Sequence, residues 1–484
     1  MAVDKTMWTE RARALISLRA AVTVALLLAL LVAAEPARAA PTTFTVNSTD
    51  DAGDATLDGT CDSDDSAPGD QCTLRAAIQE ANTTTDRDTI DFNIPSTDCD
   101  DTSGVCTINV GSSPTATGQP LPEIIQPVTI NGYTQGDATA TPDDDAMEND
   151  IPVARDGTNA NLLIELNGAS AGSSGNGLRI NASDVVVEGL VINRFIGTGI
   201  FIFGDGSDAV IGGNFLGTDA SGTSDLGNGT GVTAFGGGAN IIGGREAAAH
   251  NLISGNVHGL TIASNTGNTI QGNLIGTNKD GTNNLGNAVE GLSIGSSDNI
   301  VGSAAADNDL DSNLIAFNGA EGVLIGGGTG NRILNNRIHT NGELGINLVG
   351  GRENLNGVTK NDGRARDRDM GANNLQNFPV LSSARTEGTT TTIKGTLKSR
   401  PRKTFIIQFF SSPEKDPSGF GEGEEFIGQR EVTTNREGRG SFTFTTGDIT
   451  GAFVTATATR LDPTTLLPAD TSEFSAAKKV TRAR

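Results

Sequence analysis

The sequence predicts an all-β chain: a right-handed parallel β-helix, with a disulfide-bearing cap before it and an antiparallel β-sandwich after it. Three observations carry that prediction. First, a phrase of Gly, apolar, any residue and usually apolar returns seven times: Gly177-Leu-Arg-Ile180, Gly199-Ile-Phe-Ile202, Gly231-Val-Thr-Ala234, Gly259-Leu-Thr-Ile262, Gly291-Leu-Ser-Ile294, Gly322-Val-Leu-Ile325 and Gly345-Ile-Asn-Leu348. Its spacings are 22, 32, 28, 32, 31 and 23 residues, periods that mark a solenoid. Second, the spacers repeat in phase, as Asn240-Ile-Ile, Asn268-Thr-Ile, Asn299-Ile-Val and Asn331-Arg-Ile. Third, apolar and polar residues alternate over short runs with Gly and Asn at the corners, and no helical period of comparable length appears.

A unit of about three short strands cannot bury its inward side chains alone, whereas stacked parallel units share one core. Parallel crossovers are overwhelmingly right-handed. At a strand spacing of about 4.8 Å, seven to nine coils make a rod of about 35–45 Å. The longer units are a basic coil plus a loop, and two loops match closely: Gly217-Thr-Asp-Ala-Ser-Gly-Thr223 and Gly276-Thr-Asn-Lys-Asp-Gly-Thr282.

Taken in order, residues 1–39 read as a secretory signal peptide. Arg11, Arg13 and Arg19 precede a short apolar run, and Ala37-Arg-Ala39 supplies a small-x-small cleavage site. No later apolar run is long enough to span a bilayer. The leader carries five basic and three acidic residues, so the remainder holds 29 basic and 55 acidic, a net charge near −26. Such a chain is a poor partner for nucleic acid or anionic lipid. The chain is expected outside the cell or at its surface, the periplasm being the other compartment open to it.

Residues 40–115 read as a cap module. Cys61, Cys72, Cys99 and Cys106 are all the cysteines; in an exported chain they predict disulfides, and pairing Cys61 with Cys72 and Cys99 with Cys106 closes two short loops. Eight aspartates between Asp50 and Asp70 read as a solvated loop, with Ca²⁺ as the alternative. Leu74, Ala77, Ile78 and Ala81 give a short amphipathic helix with Thr73 as its N-cap. With the strand Thr89-Ile-Asp-Phe-Asn-Ile94 it would close the open end of the rod.

The run Cys72-Thr-Leu-Arg-Ala-Ala-Ile-Gln-Glu-Ala-Asn82, preceded by Phe44-Thr-Val-Asn-Ser-Thr-Asp-Asp51, resembles the CSLREA motif of bacterial secreted and surface proteins, departing from its letters at Thr73 and Ala76. The resemblance extends to Leu121-Pro-Glu-Ile-Ile-Gln-Pro-Val-Thr-Ile-Asn-Gly-Tyr-Thr-Gln135 and Gln376-Asn-Phe-Pro-Val-Leu381. It implies a right-handed parallel β-helix and says little about chemistry.

Residues 116–375 hold the repeats. From Phe378 the composition changes, and strand-like runs at 391–397, 404–410, 426–433, 440–445 and 453–459 predict a β-sandwich over 376–478, able to close the lower end of the rod, before a tail at 479–484.

Stacking lines residues up in columns. The residues before each repeated Gly are Asn176, Thr198, Thr230, His258, Glu290, Glu321 and Leu344. In register, Glu290 and Glu321 stand about 5 Å apart, the carboxylate spacing of retaining glycosidases, with His258 one coil away. The ordinary alternative is a solvated turn column. Asp307, Asp309 and Asp311 alternate as calcium loops begin, but Ser312 and Asn318 stand where Gly and a bidentate Glu are needed. Asp367 and Asp369, in Asn361-Asp-Gly-Arg-Ala-Arg-Asp-Arg-Asp369, form a second calcium candidate whose interleaved arginines offer a rival means of neutralisation. No other cofactor is expected. Gly326-Gly-Gly-Thr-Gly330 lacks the following Lys and the helix of a phosphate loop.

Three functions fit. The first is a non-catalytic exported scaffold, whose coils of small residues and paired Asn add hydrogen bonds along the stack. The second is a polysaccharide lyase or hydrolase, against which stand the lack of Trp beyond the leader, the single Tyr133 and the few basic residues in the repeats. The third is an adhesin recognising a surface or glycan through the paired loops.

Overall fold

The computed structural model describes residues 40–483 apart from 137–144, 153–155, 174, 265, 304–308, 363–366, 368, 463 and 466. The expected leader lies outside the described residues. Thr42–Arg484 forms one compact unit.

Short alternating strands separated by Gly and Asn corners build three parallel sheets. Sheet one has nine strands, from Thr43–Val46 to Arg332–Leu334; sheet two has eight, from Cys106–Asn109 to Arg337–His339; sheet three has eight, from Glu123–Ile124 to Ile346–Leu348. The chain visits them in turn, giving the parallel β-helix that the repeats predict. All seven Gly phrases fall in sheet three, with Leu178, Ile200, Val232, Leu260, Leu292, Val323 and Ile346 in one register line. Close approach explains the Gly column: a Cβ on Gly231 would sit 2.7 Å from the carbonyl oxygen of Gly259, and one on Gly259 2.3 Å from that of Gly291.

The repeated asparagines are buried and bond to one another along the rod. Asn240, Asn268, Asn299 and Asn331 form one ladder, each side-chain amide donating to the next Oδ1 at 2.8–3.1 Å. Asn214, Asn251, Asn273, Asn313 and Asn336 form a second, and Asn228, Asn256, Asn287, Asn318 and Asn341 a third. From Asn256 onward each Oδ1 in the third ladder also accepts the backbone N–H of the preceding asparagine, and Asn228 Oδ1 accepts that of Phe195, so the corners, where sheet pairing lapses, stay satisfied.

Both ends of the rod are closed. At the start, the helix Leu74–Ala81 is capped by Thr73, whose Oγ1 accepts from the Ala76 amide, and its apolar side joins the core of the rod. Arg75 forms a buried 2.7 Å ion pair with Asp51, whose carboxylate also accepts the Gly111 amide. Cys61–Cys72 and Cys99–Cys106 are bonded in the expected pairs.

At the far end, two antiparallel sheets pack around a second core. One runs Arg439–Thr446, Thr390–Lys398, Val380–Glu387, with Thr481–Arg482 beside the last; the other runs Glu425–Thr433, Thr404–Ser412, Phe453–Leu461, Pro468–Thr471. Phe410 and Phe474 of this sandwich join the core of the rod. Polar side chains take up amides of the last coil and of the loop after it: Thr471 Oγ1 accepts from Ile333, Gln408 Oε1 from Asn335, and the Glu473 carboxylate from Leu348 and Thr359. Main-chain bonds between Ile338 and Gly423 complete the join.

Candidate functional site: the outer face of sheet three

Period-two alternation sends Leu178, Ile200 and Val232 into the core and Arg179, Phe201 and Thr233 to the outer face. The outward register line continues through Thr261, Ser293, Leu324 and Asn347. Two strands run longer than the rest, Thr198–Gly204 and Thr230–Gly236, and carry a second outward position, Phe203 opposite Phe235. The Phe201 and Phe203 rings stack with centroids 4.9 Å apart. Phe235 is 51% exposed. The Arg179 guanidinium lies over the Phe203 ring at 5.4 Å and pairs with Glu123 at 3.1 Å. The stacked pair Phe201–Phe203 and its register neighbour Phe235 on the next coil thus place three phenylalanines on one outer face, a platform that a count of Trp and Tyr misses. Its signal is there: Phe at the fifth position of the phrases Gly199-Ile-Phe-Ile-Phe203 and Gly231-Val-Thr-Ala-Phe235.

On the same face, the structure stacks His258, Glu290, Glu321 and Leu344 in one column: the amides of Gly259, Gly291 and Gly322 donate to the carbonyls of Glu290, Glu321 and Leu344. His258 Nδ1 and Glu290 Oε2 are 2.7 Å apart, with His258 the more exposed partner. Glu321 Oε1 accepts from Asn347 Nδ2 at 2.8 Å and is nearly buried. Glu343, in the neighbouring column, is held above the usual carboxylate range by the charge of Glu321, then by burial, by a shared hydrogen bond with Glu321 and by Glu290. The sequence gives no hint of Glu343, because it stands one position before the repeated column. The arrangement is acidic, and Glu290 and Glu321 are each already bound to a neighbour.

The two matching loops stack on each other, the Lys279 amide donating to Gly222 at 2.9 Å. Each is closed alike: Asp219 Oδ1 accepts from Thr223 and Ser224, Asn278 Oδ1 from Thr282 and Asn283. The other histidines lie away from the column. His250 is buried beside Asn149, and burial lowers its pKa to about 4; His339 lies near the sandwich, lowered to about 4 by burial and by Arg337.

Of the calcium candidates, Asp307 and the side chain of Asp309 lie outside the described residues. Asp311 is taken up by Arg245 at 2.8 Å and by the Ser303 hydroxyl. Asp367 and Asp369 come together with Asp362, their carboxylate oxygens within 4.8 Å of one another. In the acidic loop, aspartates close short turns, Asp54 on Thr56 and Asp58 on Thr60, and Glu80 accepts the amides of Asp58 and Gly59.

No protein-family model matches the chain, and no curated protein matches it. Among solved structures it is similar to a double-mutant form of the periplasmic alginate epimerase AlgG, at 13% identity and a TM-score of 0.30, over 59% of this chain and 62% of the other. It is also similar to the full-length tailspike protein 2 of an Escherichia coli bacteriophage, at 12% identity and a TM-score of 0.19, over 82% and 65%. A third similarity is to the enzymatically active domain of a bacteriophage tailspike protein 4, at 9% identity and a TM-score of 0.20, over 83% and 66%. The chain therefore spans under two thirds of each of these proteins.

Proposed function

We propose that this is an exported, non-catalytic β-helix protein that binds glycan along the outer face of sheet three. The observation that carries the reading is the platform of Phe201, Phe203 and Phe235, which shares that face with the His258, Glu290 and Glu321 column. Aromatic faces take the apolar side of a sugar ring, while flanking polar groups take its hydroxyls. The glycan is neutral. A polyuronate would meet Glu290, Glu321 and Glu343, and Arg179 is already engaged by Glu123. The bonds of Glu290 to His258 and of Glu321 to Asn347 favour binding over turnover. The two disulfides and the leader pattern support a site outside the cytoplasm.

A second reading is a glycoside hydrolase, favoured by one observation: Glu343, raised beside Glu321, has the form of a general acid next to a carboxylate. One panel separates the readings. Chain lacking residues 1–39 is incubated with neutral and acidic polysaccharides, and both retention and release of reducing ends are measured. Retention by a neutral polymer without new reducing ends supports the first reading. Reducing ends that disappear in Glu321→Gln or Glu343→Gln would replace it with the second.

A further inference from the structure

We propose that Asp362, Asp367 and Asp369 form a Ca²⁺ site that fastens the loop leaving the rod to the C-terminal sandwich. Their carboxylate oxygens lie within 4.8 Å of one another. With Ca–O distances of about 2.3–2.6 Å, two oxygens across one Ca²⁺ stand about 5 Å apart, so the three acids fit around a single ion. An all-oxygen carboxylate set selects Ca²⁺ over softer metals.

An independent observation points to a missing partner. Asp367 is 1% exposed, and its Oδ1 has no hydrogen-bond partner. The other oxygen accepts from the Ser399 hydroxyl, at the end of the strand Thr390–Lys398 of the sandwich. Arg400 Nε donates at 3.3 Å to the Asp367 main-chain carbonyl rather than to its carboxylate. A buried carboxylate oxygen without a proton donor or a cation is costly.

The surroundings hold the acids in place. Asp362 exchanges two bonds with Asn377: its amide donates to Asn377 Oδ1 at 3.1 Å, and Asn377 Nδ2 donates back at 3.2 Å. Asn361 does the same with the Phe378 main chain. All three ligands lie in the loop after the last coil, and Asp367, bonded by the Ser399 hydroxyl, is the link through which the ion would hold that loop against the sandwich. Arg400, Arg402, Lys403 and Arg436 line the same cavity as Asp367 and Asp369 and are the rival source of positive charge, together with Arg364, Arg366 and Arg368, which lie outside the described residues.

The test is calorimetric titration of Ca²⁺ into the full chain lacking residues 1–39, stripped with chelator, with Tb³⁺ luminescence as a second readout. The expected result is one site with a Kd of about 10⁻⁴–10⁻³ M, the range of extracellular modules, weakened about tenfold or more in Asp367→Asn. Asp369→Asn, at a less buried position, carries the same expectation should Asp367→Asn fail to fold. Absence of Ca²⁺ and Tb³⁺ binding would overturn the site in favour of arginine neutralisation. Binding unchanged in Asp369→Asn would place the ion elsewhere and overturn it equally.

Discussion

Glu422 of the sandwich stands where a further asparagine of the rod would stand. Its Oε1 accepts from both the backbone amide and the side-chain amide of Asn341, at 3.0 and 2.9 Å. Asn318 makes the same two bonds to Asn341 Oδ1, at 3.2 and 2.9 Å. The end module thus continues the ladder with a carboxylate and stops it there, since a carboxylate has no N–H to pass on.

The ladders should dominate local stability. Asn287→Ala leaves the buried Asn256 backbone amide without its acceptor and removes one bond each from Asn256 Nδ2, the Ile253 carbonyl and Asn318 Oδ1, which keep their other partners. The orphaned amide costs about 1–3 kcal/mol and each lost bond about 0.5–1.5 kcal/mol, so a loss of at least about 2 kcal/mol is expected in urea unfolding. Thr261→Ala on the outer face should stay within about 0.5 kcal/mol.

The end cap should weaken as pH rises. Burial raises Glu473 from 4.5 to about 8 and Glu422 from 4.5 to about 7, outweighing the amides that each accepts. Between these limits the folded chain binds more protons than the unfolded one, so stability falls with pH. The contribution is full below pH 4.5 and is lost as pH passes through about 7 and then about 8. Denaturant midpoints across this window should fall, and Glu422→Gln with Glu473→Gln should flatten the slope. An unchanged slope would remove these two carboxyls as its source.

Reduction should act on the cap at the start of the rod. Cys61 and Cys72 are 11 residues apart, and closing a loop of that size contributes about 2–3 kcal/mol in the chain-entropy account. Cys61→Ser with Cys72→Ser should lower the unfolding midpoint and speed proteolysis around the helix Leu74–Ala81. The distal coils, held by their own ladders, should be cut later.

The rod was legible because its signal is repeated: every Gly phrase lands in sheet three, and the Asn phrases land in one ladder. Thr73 as N-cap and both disulfides were legible as local events. The aromatic platform was visible only in phase, since Phe203 and Phe235 become neighbours through stacking 32 residues apart. The pairing of Asp51 with Arg75, and the meeting of Glu422, Gln408, Thr471 and Glu473 with the last coil, depend on tertiary placement that no local pattern encodes. The same holds for Asp362, which joins Asp367 and Asp369 only when the loop folds against Asn377.

The most direct test of glycan binding on sheet three is affinity electrophoresis of the chain lacking residues 1–39 through gels containing neutral polysaccharides, beside a Phe203→Ala, Phe235→Ala double variant. Both rings stand on the outer face, so the variant should unfold like the parent. At least one neutral polymer is expected to retard the parent, and the variant to bind it about tenfold more weakly, a difference of about 1.4 kcal/mol. Equal retardation of parent and variant, or retardation by polyuronates alone, would contradict a neutral-glycan surface on sheet three.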